Sequence, residues 1–220
     1  MCAGGNYCEL KFEMKAETTA IQEACENLAA AARKRRKVAT CLSLWSKFIR
    51  LRDGNRCVAC GDTGRLAAHH ICRKGFLPEA HLQTGNGITL CATCHSSAHR
   101  GFNGQPKLSL PMDAEGGEKL EILARLYELL LTDAVRRGTL RDDFYHLSDS
   151  VLIKFKLFQG FDPTAAFDGG SLEQACSIWK ACPQHLLKAV LAANGLDQTW
   201  TCQTKIGGLT MYYARADVDL

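Results

Sequence analysis

Two cysteine pairs, Cys57-Val58-Ala59-Cys60 and Cys91-Ala92-Thr93-Cys94, constrain this chain more than any other feature. A Cys-x-x-Cys turn aims two thiolates at one point, and two such knuckles supply the four soft ligands of a tetrahedral zinc site. Gly61, just after the second ligand, eases the tight turn. Cys91-x-x-Cys94 opens an expected helix, whose N-terminal amides favour thiolates. Four protein ligands leave no open position, so this Zn2+ is expected to be structural, holding Cys57, Cys60, Cys91 and Cys94. The plain alternative is two unrelated pairs of core cysteines. The other eight cysteines (Cys2, Cys8, Cys25, Cys41, Cys72, Cys176, Cys182, Cys202) form no second set and read as small, mostly buried side chains.

The rest of the composition places the chain among ordinary globular proteins. It has 220 residues, 46% of them hydrophobic, which is enough for a real core and argues against disorder throughout. No run approaches the roughly 18 apolar residues of a membrane span, and the start MCAGGNYCEL lacks a signal-peptide pattern. A cytoplasmic protein without a membrane partner is therefore expected. The net charge of +4 is uneven. Residues 1–110 carry 16 Lys and Arg against 8 Asp and Glu, whereas residues 111–220 carry 11 against 15. Within residues 33–110 the count is 14 against 3. Positive charge gathered in one segment fits a polyanion such as nucleic acid, or else a solvated basic face.

Apolar spacing predicts a helix from Glu17 to about Lys37, ending in the run Arg33-Lys34-Arg35-Arg36-Lys37. That run reads either as a solvated helix end or as a contact to flanking nucleic-acid backbone. A second helix follows from Thr40 through Leu51 and stops at Asp53-Gly54-Asn55. Its Trp45, Phe48 and Leu51 read as a core stripe rather than a base-stacking platform. Strands are expected at Leu66–Ile71 and Gly87–Leu90, and a short helix from Ala92 to about Arg100. Further helices are expected at 117–137, 147–159, 171–181 and 183–194, with a hairpin between Thr199 and Arg215. The expected division is a helical, basic segment (1–44), a zinc-bearing unit (45–104) and a mostly helical domain of unknown role (117–220). A boundary is placed near 104–116.

Five of the seven histidines lie between or just after the knuckles; His81 reads as a surface or core residue, and the other four form the pattern. His69 and His70 are neighbours on a strand, so their side chains face opposite ways. His95 and His99 are four apart on a helix and share a face. His69, His95 and His99 can converge on one divalent metal, leaving His70 beside it as a free base. Alternatively, His95 and His99 sit on a polar surface and His70 is an ordinary strand residue. Asn86, between two glycines, is a turn residue that can also pin the loop orienting the base.

These residues together resemble the HNH endonuclease family with its ββα-metal motif. The stretch CVACGDTGRLAAHHICRKGFLPEAHLQTGNGITLCATCHSSAH carries the His pair, the Asn, both knuckles and the His-x-x-x-His in family order. The resemblance spans roughly residues 45–103, and neither flank resembles a known DNA-binding appendage. It implies an α+β, mainly helical chain built around a small zinc-stapled motif. It also implies that His70 is the general base and that His69, His95 and His99 hold a catalytic divalent ion (Mg2+, Mn2+, Ni2+ or Zn2+). Asn86 matches the middle residue and is assigned to positioning. The second ring nitrogen of His70 is expected to donate to a backbone carbonyl. The implied reaction is phosphodiester hydrolysis in DNA, with RNA as a further possible substrate, in a phage-defence, restriction or mobile-element setting. Arg50, Arg52, Arg56, Arg65, Arg73, Lys74 and Arg100 are the expected phosphate contacts. Two other readings stand beside this one: a non-catalytic zinc module that binds nucleic acid, and a nuclease subunit or homodimer that docks through the acidic C-terminal half.

Overall fold

The computed structural model describes residues 5–99, 120–195, 201–206 and 209–214. Two helices come first, α1 (Gly5–Arg33) and α2 (Val38–Arg52), and they pack against each other. α1 begins twelve residues before the expected Glu17. Its early stretch Glu9–Ala16 is made of good helix formers without a clear apolar period, so propensity extends a helix that patterning alone does not mark. α1 stops in a two-bond C-terminal motif, with Arg36 N–H on the Ala31 carbonyl and Arg35 N–H on that of Ala32. Arg35 takes the left-handed φ of +47° that glycine usually supplies there. α2 buries Cys41, Trp45, Phe48, Ile49 and Arg52, the 3.6-residue stripe of a core helix. It ends on Gly54 at φ +72°, with Asn55 N–H bonded to the Arg50 carbonyl, as the Asp-Gly-Asn signal predicts.

Strand β1 (Leu66–His70) pairs antiparallel with β2 (Gly87–Cys91) in the register His69↔Ile88 and His70↔Gly87. Between them runs a loop with short 3-10 turns at Pro78–Ala80 and Thr84–Asn86. β2 passes directly into α3 (Ala92–Ala98). The ββα unit lies against α2, and this contact requires Gly87. A Cβ on Gly87 would come within 2.6 Å of the Trp45 ring and 2.7 Å of Ile49.

Helices α4 (Leu120–Arg137), α5 (Asp149–Phe158) and α6 (Ser171–Lys180) follow, with α6 packed on both of the others. α7 (Gln184–Ala193) leaves Leu186 and Val190 exposed. Strands β3 (Thr201–Ile206) and β4 (Leu209–Ala214) pair antiparallel within the stretch expected to form a hairpin. The chain is thus mixed α and β and mostly helical. No helix among the described residues is long and apolar enough to cross a membrane.

One hydrophobic cluster joins Ile21 of α1, Phe48 of α2, Ile88 of β2, Tyr127 of α4, Phe155 of α5 and Trp179 of α6. The segments distinguished in the sequence meet in this core, and the expected boundary at 104–116 falls outside the described residues. The 139–148 connection is stitched to the loop before β2. Gly85 N–H bonds the His146 carbonyl at 2.9 Å, and Gln83 exchanges hydrogen bonds with Ser148.

Arg52 stands at this junction and corrects its expected role as a phosphate contact. It is fully buried. Its guanidinium pairs with Asp53 at 2.8 Å and donates to the carbonyls of Thr84, Gly87 and Phe144, with its face 4.2 Å from the Tyr145 ring centroid. Asp53 in turn accepts the Thr89 N–H at 2.7 Å. No donor of Arg52 is turned to solvent, so nucleic acid cannot reach it. Removing a partner from a buried charge pair typically costs about 3–5 kcal/mol, because the other charge is left uncompensated. Arg52→Met is therefore expected to lower folding stability by about that much, measured as the urea midpoint of the zinc-loaded protein. An unchanged midpoint would mean the pair is dispensable.

Candidate metal centres and the imidazole beside them

The first knuckle forms because Gly61, at φ +80°, returns its N–H to the Cys57 carbonyl, and Cys57 N–H bonds the Asp62 carbonyl; both distances are 2.7 Å. Val58 N–H reaches the Thr89 carbonyl of β2, which brings this knuckle beside the second. Cys91 ends β2 and caps α3, and Cys94 lies in the first turn of that helix. The four sulfurs lie within 4.8 Å of one another, and all four cysteines are free.

The spacing distinguishes zinc from a disulfide. A tetrahedral site has edges about 1.63 times the bond length, ~3.8 Å for sulfur at about 2.3 Å, whereas a disulfide needs about 2.05 Å. The Cys60 and Cys91 sulfurs stand 3.7 Å apart. Burial pushes the Cys57 thiol up, but hydrogen bonds from the Cys91 and Cys60 amides and from the Cys60 side chain bring it down to about 7. The Cys94 thiol is pushed up by burial and by the sulfurs of Cys60, Cys91 and Cys57. Four thiolates in so small a volume repel, and a divalent cation relieves that repulsion. The cluster can therefore hold a zinc ion.

The second cluster is His69, His95 and His99, whose ligand nitrogens also lie within 4.8 Å of one another. Their rings stand nearly perpendicular, at 79–87°, with centroids 4.6–5.0 Å apart. The Nε2 atoms of His95 and His99 are 3.3 Å apart. That equals the edge expected for imidazole bound to zinc at about 2.0–2.1 Å, ~3.3 Å. β1 delivers His69, and consecutive turns of the α3 end deliver the other two. Burial, with the neighbouring His99, His95 and His70, holds His69 down at about 3. Burial also lowers His95 and His99. All three rings are thus neutral near pH 7, the form in which an imidazole ligates metal. Three protein ligands, unlike four, leave a coordination position for water or substrate.

His70 points to the other side of β1, as strand alternation requires. Its ring stacks on Trp45 with centroids 4.1 Å apart and planes 7° from parallel. The ladder position opposite is Gly87, and the space a side chain would occupy there is where the Trp45 ring sits. His70 Nε2 lies 2.9 Å from the His81 carbonyl oxygen. A carbonyl only accepts, so Nε2 carries the proton and Nδ1 keeps its lone pair. Burial lowers the ring's pKa, opposed by the His81 hydrogen bond, so the free base predominates. Trp45 also donates Nε1–H to the Gln83 carbonyl at 3.1 Å, fastening the same loop that offers the His81 oxygen.

Asn86 is fully buried and its amide is fully used. Oδ1 accepts from Cys72 N–H at 2.8 Å, and Nδ2 donates to the carbonyls of Cys72 at 2.9 Å and Ala80 at 3.2 Å. The side chain thus closes the loop that leaves His70, at Cys72 two residues on. Tyr127 Oη also reaches Oδ1 at 3.5 Å, so the polar atoms of Asn86 are spent on this loop and on α4.

The expected cationic contacts separate. Arg65 and Lys74 are exposed and Arg73 is half-buried. Arg50 is half-buried and donates to Ser46 Oγ at 2.6 Å. Arg56 is tied to Asp133, which also pairs with Arg136 at 2.6 Å. Arg100 lies outside the described residues. Sequence reasoning missed the Trp45 stack and the buried Arg52. The only local signal for the first is a glycine opposite a histidine, legible once the register is known. No family model matches the chain, and no curated protein or solved structure compared with it matches it either.

Proposed function

We propose that this chain is a metal-dependent endonuclease of the HNH type that hydrolyses phosphodiester bonds in DNA, within a defence, restriction or mobile-element system. The observation that carries the reading is one juxtaposition. A neutral imidazole, His70, with its tautomer set by the His81 carbonyl, is adjacent in sequence to His69 of a three-imidazole cluster on a ββα unit. A non-catalytic zinc module needs the cysteines alone and has no use for the four histidines.

In this reading His70 Nδ1 takes a proton from water as that water's oxygen bonds to phosphorus. The bond from phosphorus to O3′ breaks, and O3′ leaves with the electron pair and takes a proton from solvent. A divalent ion on His69, His95 and His99 supplies Lewis-acid stabilisation of charge on the phosphate when bound. The His81 carbonyl holds the Nε2 proton, so Nδ1 is the basic nitrogen throughout. As His70 gains charge, the face of Trp45 stabilises the imidazolium, a cation–π contact. Asn86 keeps the 72–80 loop, and with it the carbonyl, in place. Arg65, Arg73 and Lys74 supply positive charge within the 57–99 motif.

The test is incubation of supercoiled plasmid with the zinc-loaded protein and Mg2+, Mn2+, Ni2+ or Zn2+ in turn. Nicked or linear product is expected with at least one ion, and its loss in the His95→Ala variant. DNA left intact under every ion would leave only the binding-module reading.

A further inference from the structure

The turn between α1 and α2 gathers five consecutive cations, and the chemistry proposed at His70 makes no use of it. Arg33, Lys34, Arg35, Arg36 and Lys37 follow one another, and all five are exposed. None of their side chains has a hydrogen-bond or ion-pair partner among the described residues. Between Glu26 and Asp53 the chain contains no carboxylate, and Asp53 is buried against Arg52. The surface of this corner and of α2 therefore carries one sign of charge. Arg35 holds a left-handed φ of +47° where glycine would be unstrained. A charged residue thus stands where the backbone alone would favour none.

α2 also fixes how far this corner lies from the candidate site. Eight residues separate Lys37 from Trp45, about 12 Å at 1.5 Å per residue. Trp45 carries the His70 ring on its face. A duplex presents one phosphate per about 1.7 Å of axis, so about seven phosphates span that distance. Duplex DNA stays nearly straight over this length, since its persistence length is about 150 base pairs.

We infer that the α1–α2 corner, Arg33 to Lys37 with Thr40 at the start of α2, grips the phosphate backbone of duplex DNA a few base pairs from the cleaved bond. The choice of DNA rests on the nuclease reading. The duplex form rests on the corner itself. Sites for single strands interleave cations with aromatic platforms, and residues 33–44 contain no aromatic side chain. A membrane-surface helix needs a broad apolar face beside its cations, and the exposed positions of α2 after Val38 include Thr40, Ser43 and Lys47. Hydroxyls beside cations are instead common phosphate donors.

The experiment measures binding of the zinc-loaded full chain carrying His70→Ala, which holds DNA without cutting it. The probe is a labelled duplex of about 30 base pairs, titrated across a range of KCl, since each phosphate contact steepens the salt dependence by about 0.9 in log K against log salt. Replacing all five cations by glutamine is expected to make that slope shallower by roughly 3 to 4 and to weaken binding at least about tenfold at moderate salt. Arg33→Lys, Arg35→Lys and Arg36→Lys together should retain the slope, because the contact is to charge. A single strand of the same length should change its slope by no more than about 1. An unchanged slope in the glutamine variant overturns the inference and leaves the corner a solvated helix end. An equal loss on the single strand, or a preference for RNA duplex, overturns the assignment to duplex DNA. Corner-dependent binding by a chain that cuts no DNA would sink the nuclease reading alone, and cutting with corner-independent binding would sink this inference alone. A chain that binds no duplex sinks both.

Discussion

On the nuclease reading, His70→Ala is expected to remove phosphodiester hydrolysis while leaving the protein folded and both candidate ligand clusters intact. Loss of a positioned general base typically costs about 10²–10⁴ in rate. The variant keeps His69, His95 and His99, whose nitrogens converge without help from His70. It also keeps the Trp45 hydrogen bond to Gln83, which holds the loop once the stacked ring is gone. The sharper comparison is His81→Ala. His70 uses only the backbone oxygen of residue 81, so that variant should cut at near-parental rate although it removes the nearer-surface histidine. Plasmid cleavage rates and metal content for both variants check the pair of outcomes. Full activity in His70→Ala would remove it as the base, and strong loss in both variants would point to a damaged loop rather than to proton transfer.

Cys57→Ser should fail in a different way, through the fold. Cys57 is completely buried, and its cluster joins the loop before β1 to the junction of β2 and α3. Structural zinc in small domains contributes an apparent ~10–16 kcal/mol, against total stabilities of about 5–15 kcal/mol for whole domains. Loss of one thiolate from the four is thus expected to abolish cooperative unfolding of the ββα unit and to lower zinc content, and chelation of the parent protein should do the same. The histidine cluster would disperse with it, since His95 and His99 ride on the segment that Cys91 and Cys94 anchor. Native mass spectrometry for zinc and a urea unfolding curve measure both effects. A zinc-free variant that still unfolds in one sharp transition would show that the core alone sustains this unit.

Both outcomes bear on how the site reads from its residues. The Cys-x-x-Cys spacing and the His-x-x-x-His spacing act within a turn of backbone, so the side chains they bring together follow from local geometry. β1, β2 and α3 accordingly begin where the spacing places them, and end within two residues of the expected positions. The His70 hydrogen bond reaches a carbonyl 11 positions on, so it depends on how the 71–80 loop is closed. Charge was a poorer guide. Arg52 and Arg56 count as basic residues of the motif, yet one is sealed beneath the 139–148 connection and the other is held by Asp133, 77 positions later. Which cations face solvent depends on what the later helices cover.

The amino-acid order by itself determined the pairs Cys57/Cys60, Cys91/Cys94 and His95/His99, the alternation that sends His69 and His70 to opposite sides, and the type of nearly every helix and strand, because each depends on neighbours within about one turn or one strand repeat; bringing the knuckles together, and His69 to the helix pair, took the β1–β2 pairing. Tertiary structure alone decided that Trp45 fills the space above Gly87 and stacks on His70, that Arg52 serves the core, and that helices from both halves share one apolar interior. Those choices are made by contacts between residues tens of positions apart, which form only when buried surface and paired polar groups across the whole core are satisfied together.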